Sequence, residues 1–314
     1  MRIAILGAGA MGSLYGSYLK KSGQEIVLVD IWPEHIKAIN ERGLTITDYK
    51  ESETIAIEAC KPEEIIGPID LFILFTKTNH IDSALKSIVH LKERQTAIMT
   101  VQNGLGNVEK IIPYFDRSKI LVGFSTFTSD LIGPGHIRSG KPGTTTIMQL
   151  KKDTSDLVNQ TKNLLDNAGL NCVFKNDVFP MIWEKLAFNC AMNSITAATR
   201  LNVGQVGQSP QGRILVERIV DEVISVAQAK GLVVNKDNIS KIIKNDIEIN
   251  TEHKPSMLQD VLAGRETEIE AINGEVIREA ENLGIPVTTT RVLYNLIKTI
   301  DNGLTGGERM QPGS

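Results

Sequence analysis

The chain has 314 residues, 41% apolar and 23% charged. That is the balance of a globular protein with a sizeable core, and the length points to two domains. A net charge of -3 offers no basic excess for nucleic acid, and no apolar run reaches membrane-spanning length, so neither is an expected partner. The three cysteines, Cys60, Cys172 and Cys190, are odd in number and scattered, as are the five histidines. This argues against a disulfide framework or a zinc site and, with no signal-peptide pattern at the start, for a cytoplasmic protein.

Arg2 to Leu6 is a short apolar run, expected as a buried strand. It leads straight into Gly7-Ala8-Gly9-Ala10-Met11-Gly12. A helical pattern through Leu14, Tyr15, Tyr18 and Leu19 follows and stops near Gly23. Glu25 to Val29 is a second strand, closing on Asp30. Strand, GxGxxG, helix, strand and acid stand in the order of a dinucleotide-binding unit. The first glycine permits the tight turn, the second lets the backbone approach a pyrophosphate, and the third lets helix and strand pack closely. The helix start offers its free N–H groups to the phosphates. Asp30 is placed to accept hydrogen bonds from the adenosine ribose and to repel a 2′-phosphate. The next residues are Ile31, Trp32 and Pro33, with no arginine, which favours NAD over NADP.

Further on, Leu44–Thr47 and Thr54–Glu58 are expected as paired short strands. Leu71–Phe75 is near-continuously apolar, as a parallel strand covered on both faces requires. Lys77 follows it, readable as a cofactor contact or as a solvated loop lysine. Ile81–Leu91 reads as a helix. Thr96–Val101 reads as a strand that delivers Gln102-Asn103-Gly104-Leu105-Gly106 at its carboxyl end, where ligands of open α/β sheets gather. Asn103 is therefore a candidate contact for cofactor or substrate, although turns favour asparagine in any case. Ile120–Phe127 is another strand. After Gly133-Pro134-Gly135, the segments 137–139 and 144–150 suggest a hairpin. A helix over 153–168 and a strand over 171–174 complete this half.

From about Asn176 the patterns turn helical. We therefore expect an α/β protein: a Rossmann-type doubly wound sheet over residues 1–175, then an all-helical domain over 176–314. Helices are expected from Trp183 to about Ala198, from the Ser209-Pro210 start to Gly231, over 237–249, from Ser256, over 267–282, and to about Ile300. The tail after Gly303 is expected to fray. The apolar flanks near Ile214 and Val292 are candidates for a homodimer interface, or simply for core.

In the first of these helices Lys185, Asn189 and Asn193 stand four residues apart. Each step of four turns only about 40° around the axis, so they share a face. A buried stripe should be apolar, and a solvated one usually mixes carboxylates with lysines. One ammonium and two amides suit a small, anionic, oxygen-rich ligand instead.

Five motifs together resemble the ketopantoate reductase (2-dehydropantoate 2-reductase) family: GAGAMG at 7–12, TK at 76–77, QNGLG at 102–106, WEKLAFNCAMN at 183–193 and SMLQDVLAGRETEIEAINGEV at 256–276. The resemblance covers nearly the whole chain, to about Ile300. It implies a Rossmann domain, an all-helical second domain, and a 2-keto acid held in the cleft between them and reduced by NADPH or NADH. Lys185 looks like the family's catalytic lysine. Asn103 is similar to the asparagine that touches cofactor and substrate. Asn189 and Asn193 resemble its substrate amides, and Ser256 the serine on the substrate carboxylate. Glu268 resembles the carboxylate near the nicotinamide ribose and the lysine. Family members that use NADPH commonly carry a basic residue just past the second strand, where this chain has Asp30-Ile31-Trp32. The cofactor thus stays open between NADP and NAD, and so does the alternative of an NAD-dependent D-2-hydroxyacid dehydrogenase acting on other 2-keto acids.

Overall fold

A computed structural model describes residues 1–151 and 156–306. The glycine-rich tail expected to fray lies beyond residue 306 for the most part, and the expected helix start at Asp153 falls in the internal gap; both are outside the described residues. The chain divides into two compact units. One comprises Met1–Gln102 and Gly106–Val178; the other comprises Asn103–Leu105 and the chain from Phe179.

The first unit begins with β1 (Arg2–Leu6), α1 (Ala10–Lys21), β2 (Glu25–Val29) and α2 (Pro33–Arg42). β3 (Leu44–Thr47), β4 (Ser52–Ile55) and β5 (Glu58–Cys60) follow, then β6 (Leu71–Leu74), α3 (Ile81–Ile88), β7 (Ala97–Thr100), α4 (Asn107–Ile111) and β8 (Ile120–Ser125). β9 (Ser129–Gly133), β10 (His136–Ser139), β11 (Thr145–Gln149), α5 (Leu157–Asn167) and β12 (Cys172–Phe174) complete it. The main sheet has eight strands in the order β12-β11-β8-β7-β6-β1-β2-β5. From β5 to β8 all neighbours are parallel. β1, β6 and β7 are buried almost throughout, which is why they read as unbroken apolar runs. The chain leaves β1 toward β2 on one side and returns to β6 on the other. The strand order therefore reverses at β1, and the carboxyl ends of β1 and β6 open onto the crevice that such a reversal creates.

Two pairings differ from the sequence reading. The segment expected as one strand over 54–58 splits. β4 pairs with β3 in a separate four-stranded sheet, ordered β4-β3-β10-β9, while β5 joins the main sheet beside β2. The hairpin is also a different one. β10 turns back on β9 through Gly133-Pro134-Gly135, where Gly135 holds φ +71, a conformation that favours glycine. β11 instead lies antiparallel to β8. Both segments alternate well enough for either partner, so local pattern could not choose between them.

The second unit contains α6 (Phe179–Thr199), α7 (Val203–Gln208), α8 (Pro210–Ala229), α9 (Lys236–Ile249) and α10 (Ser256–Leu262). A π-helical turn at Glu270–Gly274 then runs into α11 (Glu275–Leu283), and α12 (Thr288–Gly306) follows. Ser209 accepts the Gly212 N–H (3.1 Å), with Pro210 at the first helical position, the start expected from the sequence. α7 has no expected counterpart; Asn202 and Gln205 cap it reciprocally, a short-range device without an apolar stripe to announce it. α6 is the axis of this unit: α8, α9, α10 and α12 all pack on it, and its residues Trp183, Leu186, Ala187, Cys190, Ala191, Met192 and Ile195 are buried. Ile214 and Val292 are about half exposed, at 49% and 51%, so neither is core. No helix among the described residues is long and apolar enough to cross a membrane.

Candidate active site

The first unit carries a cavity of about 460 Å³ at the carboxyl ends of its parallel strands. Gly7 and Gly9 line it after β1, Asp30 and Ile31 after β2, Glu63 after β5, and Thr76 and Lys77 after β6. The three motif glycines divide by cause. A Cβ on Gly7, which holds φ +92, would stand 2.6 Å from the Thr76 nitrogen, and one on Gly12 would stand 1.9 Å from the Gly7 carbonyl oxygen. Those two are required by the protein's own packing. A Cβ on Gly9 would meet nothing within 4 Å. The protein's own packing does not require a glycine there. Gly9 also caps α1 without a side-chain hydrogen bond, so the first-turn N–H groups lack a side-chain acceptor. The Thr76 hydroxyl is buried with no partner among the described residues. Open glycine, bare helix start and orphan hydroxyl fit a dinucleotide phosphate and its ribose.

Asp30 does more than the sequence suggests. Its Oδ2 accepts the Ala8 N–H (2.7 Å), and its Oδ1 accepts those of Ile31 (2.8 Å) and Trp32 (3.0 Å). The carboxylate thus ties the glycine turn to the end of β2 before any ligand arrives. The Ala8 N–H is thus committed to Asp30 and its side chain is wholly buried, so Ala8 shapes the turn. Ala10 and Met11 sit half-buried in the first turn of α1, and Gly12 is buried beneath it. Gln102 donates its amide to the Thr76 carbonyl and accepts the Thr100 hydroxyl (2.8 Å), fixing the strand ends. Neither Thr76 nor Gln102 stood out in the sequence as a site residue, although Thr76 closes the β6 apolar run in the position where such ligands bind.

In the second unit α6 presents Lys185 half-buried, with Asn189 and Asn193 buried on the same face at 7% and 4% exposure. Burial pulls the Lys185 ammonium down from the usual lysine value to about 8, and the Glu268 carboxylate opposes that fall. Glu268 is not inside a helix, as the sequence reading had it. Thr267 pins the segment before it: its N–H and hydroxyl both donate to the buried Asp301 carboxylate (3.2 and 2.8 Å), and its hydroxyl accepts the Ile269 N–H (3.3 Å). The helix then opens with the π turn, whose wider winding is a recurrent feature of functional sites. Glu270 is held elsewhere, accepting from Tyr294 Oη and Lys298 Nζ, both at 2.9 Å.

The π turn also explains why Asn103–Leu105 groups with the helices. The Ala271 carbonyl accepts the Leu105 N–H (2.9 Å). Gly104, at φ +81, lies so close that a Cβ would stand 2.3 Å from that same oxygen. Asn103 is thus carried by the unit that carries Lys185, and neither it nor Glu268 lines the cavity of the first unit. Ser256 is exposed at the first position of α10.

The fold and these two residue sets are those of a dinucleotide-dependent oxidoreductase. The chain belongs to the ketopantoate reductase family: the profile described as ketopantoate reductase PanE/ApbA matches residues 3–152, and its C-terminal counterpart matches 177–301. It is 34% identical over 298 residues to a 2-dehydropantoate 2-reductase of Streptococcus pyogenes serotype M6, covering 95% of this chain and 97% of that one. Among solved structures, D-mandelate dehydrogenase with NADH and anilino(oxo)acetate superposes with a TM-score of 0.93 at 28% identity, covering 97% of this chain and all of that one. A 2-dehydropantoate 2-reductase from Geobacter metallireducens GS-15 gives 0.89, also at 28% identity, over 95% of this chain and 99% of that one. The resemblance read from the five motifs is borne out.

Proposed function

We propose that this protein is a 2-dehydropantoate 2-reductase, reducing the C2 ketone of 2-dehydropantoate to (R)-pantoate with NAD(P)H, a step toward pantothenate and coenzyme A. The observation that carries the reading is the α6 face: a lysine lowered to about 8 in line with two buried asparagines. We take residues 1–175 as the cofactor-binding part and 176–314 as the catalytic part. The Gly7–Gly12 turn, Asp30, Thr76 and Lys77 would hold the dinucleotide; when bound, its nicotinamide supplies the hydride. Lys185 holds a proton at Nζ, stabilises the alkoxide that forms on the ketone oxygen, and gives the proton up. General acid help of this kind is typically worth about 10²–10⁴-fold. Glu268 keeps the amine protonated near neutral pH. Asn189, Asn193, Ser256 and Asn103 would grip the carboxylate and hydroxyl groups and orient the carbonyl.

A second reading is favoured by one observation. The D-mandelate dehydrogenase complex holds NADH, and the cavity here carries Asp30 and Glu63 with Ile31 between β2 and α2, an arrangement hostile to a 2′-phosphate. A D-2-hydroxyacid dehydrogenase acting on bulkier keto acids would share every group named above. Initial rates at the NADH absorbance band separate the two, with 2-dehydropantoate and phenylglyoxylate each tested against NADH and NADPH. Faster turnover of phenylglyoxylate overturns the first reading, and no turnover of either overturns both. We place the protein in the cytoplasm, consistent with its three free, buried cysteines, and the exposed Ile214 and Val292 are our candidates for a homodimer contact, testable by sedimentation.

A further inference from the structure

The second, four-stranded sheet is not needed to build a dinucleotide fold, yet one side chain connects it to the glycine turn. His35 lies on α2 and is 1% exposed. Its Nδ1 accepts the Gly135 N–H at 3.0 Å. A ring nitrogen that accepts cannot carry a proton, so the proton of the neutral ring sits on Nε2. Nε2 lies 3.5 Å from Ser13 Oγ, whose hydroxyl donates to the Ala8 carbonyl at 2.6 Å. Ala8 in turn gives its N–H to Asp30. On the far side Gly135 is fixed as well, since its carbonyl accepts the Thr45 N–H of β3 (2.8 Å). The Trp32 indole stacks on the imidazole at 5.2 Å between centroids and 4° between planes.

We propose that His35 is a positioning residue for the cofactor: its neutral imidazole braces the Ala8 segment of the glycine turn against the second sheet, and dinucleotide affinity depends on that brace. The inference rests on reading the cavity as a dinucleotide site. Protonation would put a hydrogen on Nδ1, facing the Gly135 N–H, and would break the contact to the second sheet. Burial lowers the pKa of the ring, and the Asp30 carboxylate, the charged group whose field reaches it, opposes this. α1 presents the Ser13 hydroxyl and the β9–β10 turn presents backbone, so neither adds a charge at the contact atoms. The brace is therefore complete at neutral pH and is lost as pH falls through a value below that of a free histidine.

The test is NADH affinity by fluorescence titration between pH 5 and 8, with kcat at saturating NADH measured alongside. His35→Leu removes both nitrogens and should raise the NADH Kd about tenfold at pH 7.5, the effect of about one buried hydrogen bond, with kcat within about twofold of wild type. His35→Gln, whose Nε2 can still donate to Ser13, should recover most of the affinity and lose the acid-side weakening that wild type shows. Ser13→Ala cuts the same relay from α1 with little risk to folding, and should weaken NADH in the same direction and non-additively with His35→Leu. If wild type binds NADH while Ser13→Ala and His35→Leu bind it equally well, the brace has no role. If wild type itself binds no dinucleotide, the cofactor reading has failed before the brace is tested.

Discussion

From the proposed role of Lys185 as proton donor follows a pH dependence that can be worked out and then moved. Reduction needs the ammonium form, so kcat/KM should be level on the acid side and fall as pH rises through the lysine value of about 8. At pH 7 a group titrating there is roughly nine-tenths protonated, and at pH 8 roughly half. The Glu268 carboxylate holds that value up against burial. Glu268→Gln keeps the shape and removes the charge, and loss of an opposite charge at close range lowers a lysine by about one unit or more. The falling limb should therefore move to about pH 7 or below. Relative to wild type, kcat/KM then drops about fivefold at pH 8 and changes by only about a tenth at pH 6, from charge state alone. The oxidation direction needs the free amine, so its rising limb should move the same way. The assay is initial rates across pH 5.5–9.5 at the nicotinamide absorbance band. A Glu268→Gln profile that is lower at every pH but titrates where wild type does would refute the electrostatic coupling. It would leave Glu268 as a contact group only.

Lys185→Met should remove at least about 10²-fold of kcat, the lower end of general acid catalysis, while NADH still binds; near wild-type turnover with 2-dehydropantoate would remove the lysine from the mechanism. The two glycines should separate by readout. Gly9→Ala places its Cβ in open space, so it should keep the wild-type melting temperature and lose NADH affinity, whereas Gly12→Ala collides with the Gly7 carbonyl and should lose several degrees of thermal stability as well. Asp30→Ala should shrink the NADH-over-NADPH ratio of kcat/KM by about tenfold, one carboxylate–phosphate repulsion of ~1.4 kcal/mol in partly wet surroundings. A wild type that already prefers NADPH strongly would show that Asp30 serves the turn alone.

What the sequence made legible was whatever repeats locally. The β1–GxGxxG–α1–β2 unit announced itself because turn, phosphate site and packing all need glycine at fixed offsets. The α6 face was visible because four-residue spacing is the helix period. Pairing across distance was not visible. Nothing within His136–Ser139 says that it should lie between Ser129–Gly133 and Leu44–Thr47, and nothing around His35 says that its ring meets Gly135, 100 residues on. The π turn was also hidden. Glu270–Gly274 has ordinary helical composition, and its wider winding is fixed by Thr267 on Asp301 and by Asn273 Nδ2 donating to the Cys190 carbonyl (3.4 Å), contacts from distant elements.

The polar row on α6 is best understood through its cost. A helix surrounded by four others should be apolar on every side, and most of α6 is. Placing amides on a largely buried face forgoes the apolar packing that leucine would give there, and α6 carries two such amides one turn apart. Leucine at Asn189 or Asn193 would pack that surface at no such cost. Stability alone thus gives no reason for these residues. Desolvation of Lys185 points the same way, since burial that lowers its ammonium to about 8 destabilises the charged fold at neutral pH. A polar row that packing does not favour, aligned on one face of a mostly apolar helix, fits a role in binding a polar ligand, as proposed above. The oxygen-rich 2-keto acid of the proposed reaction is such a ligand.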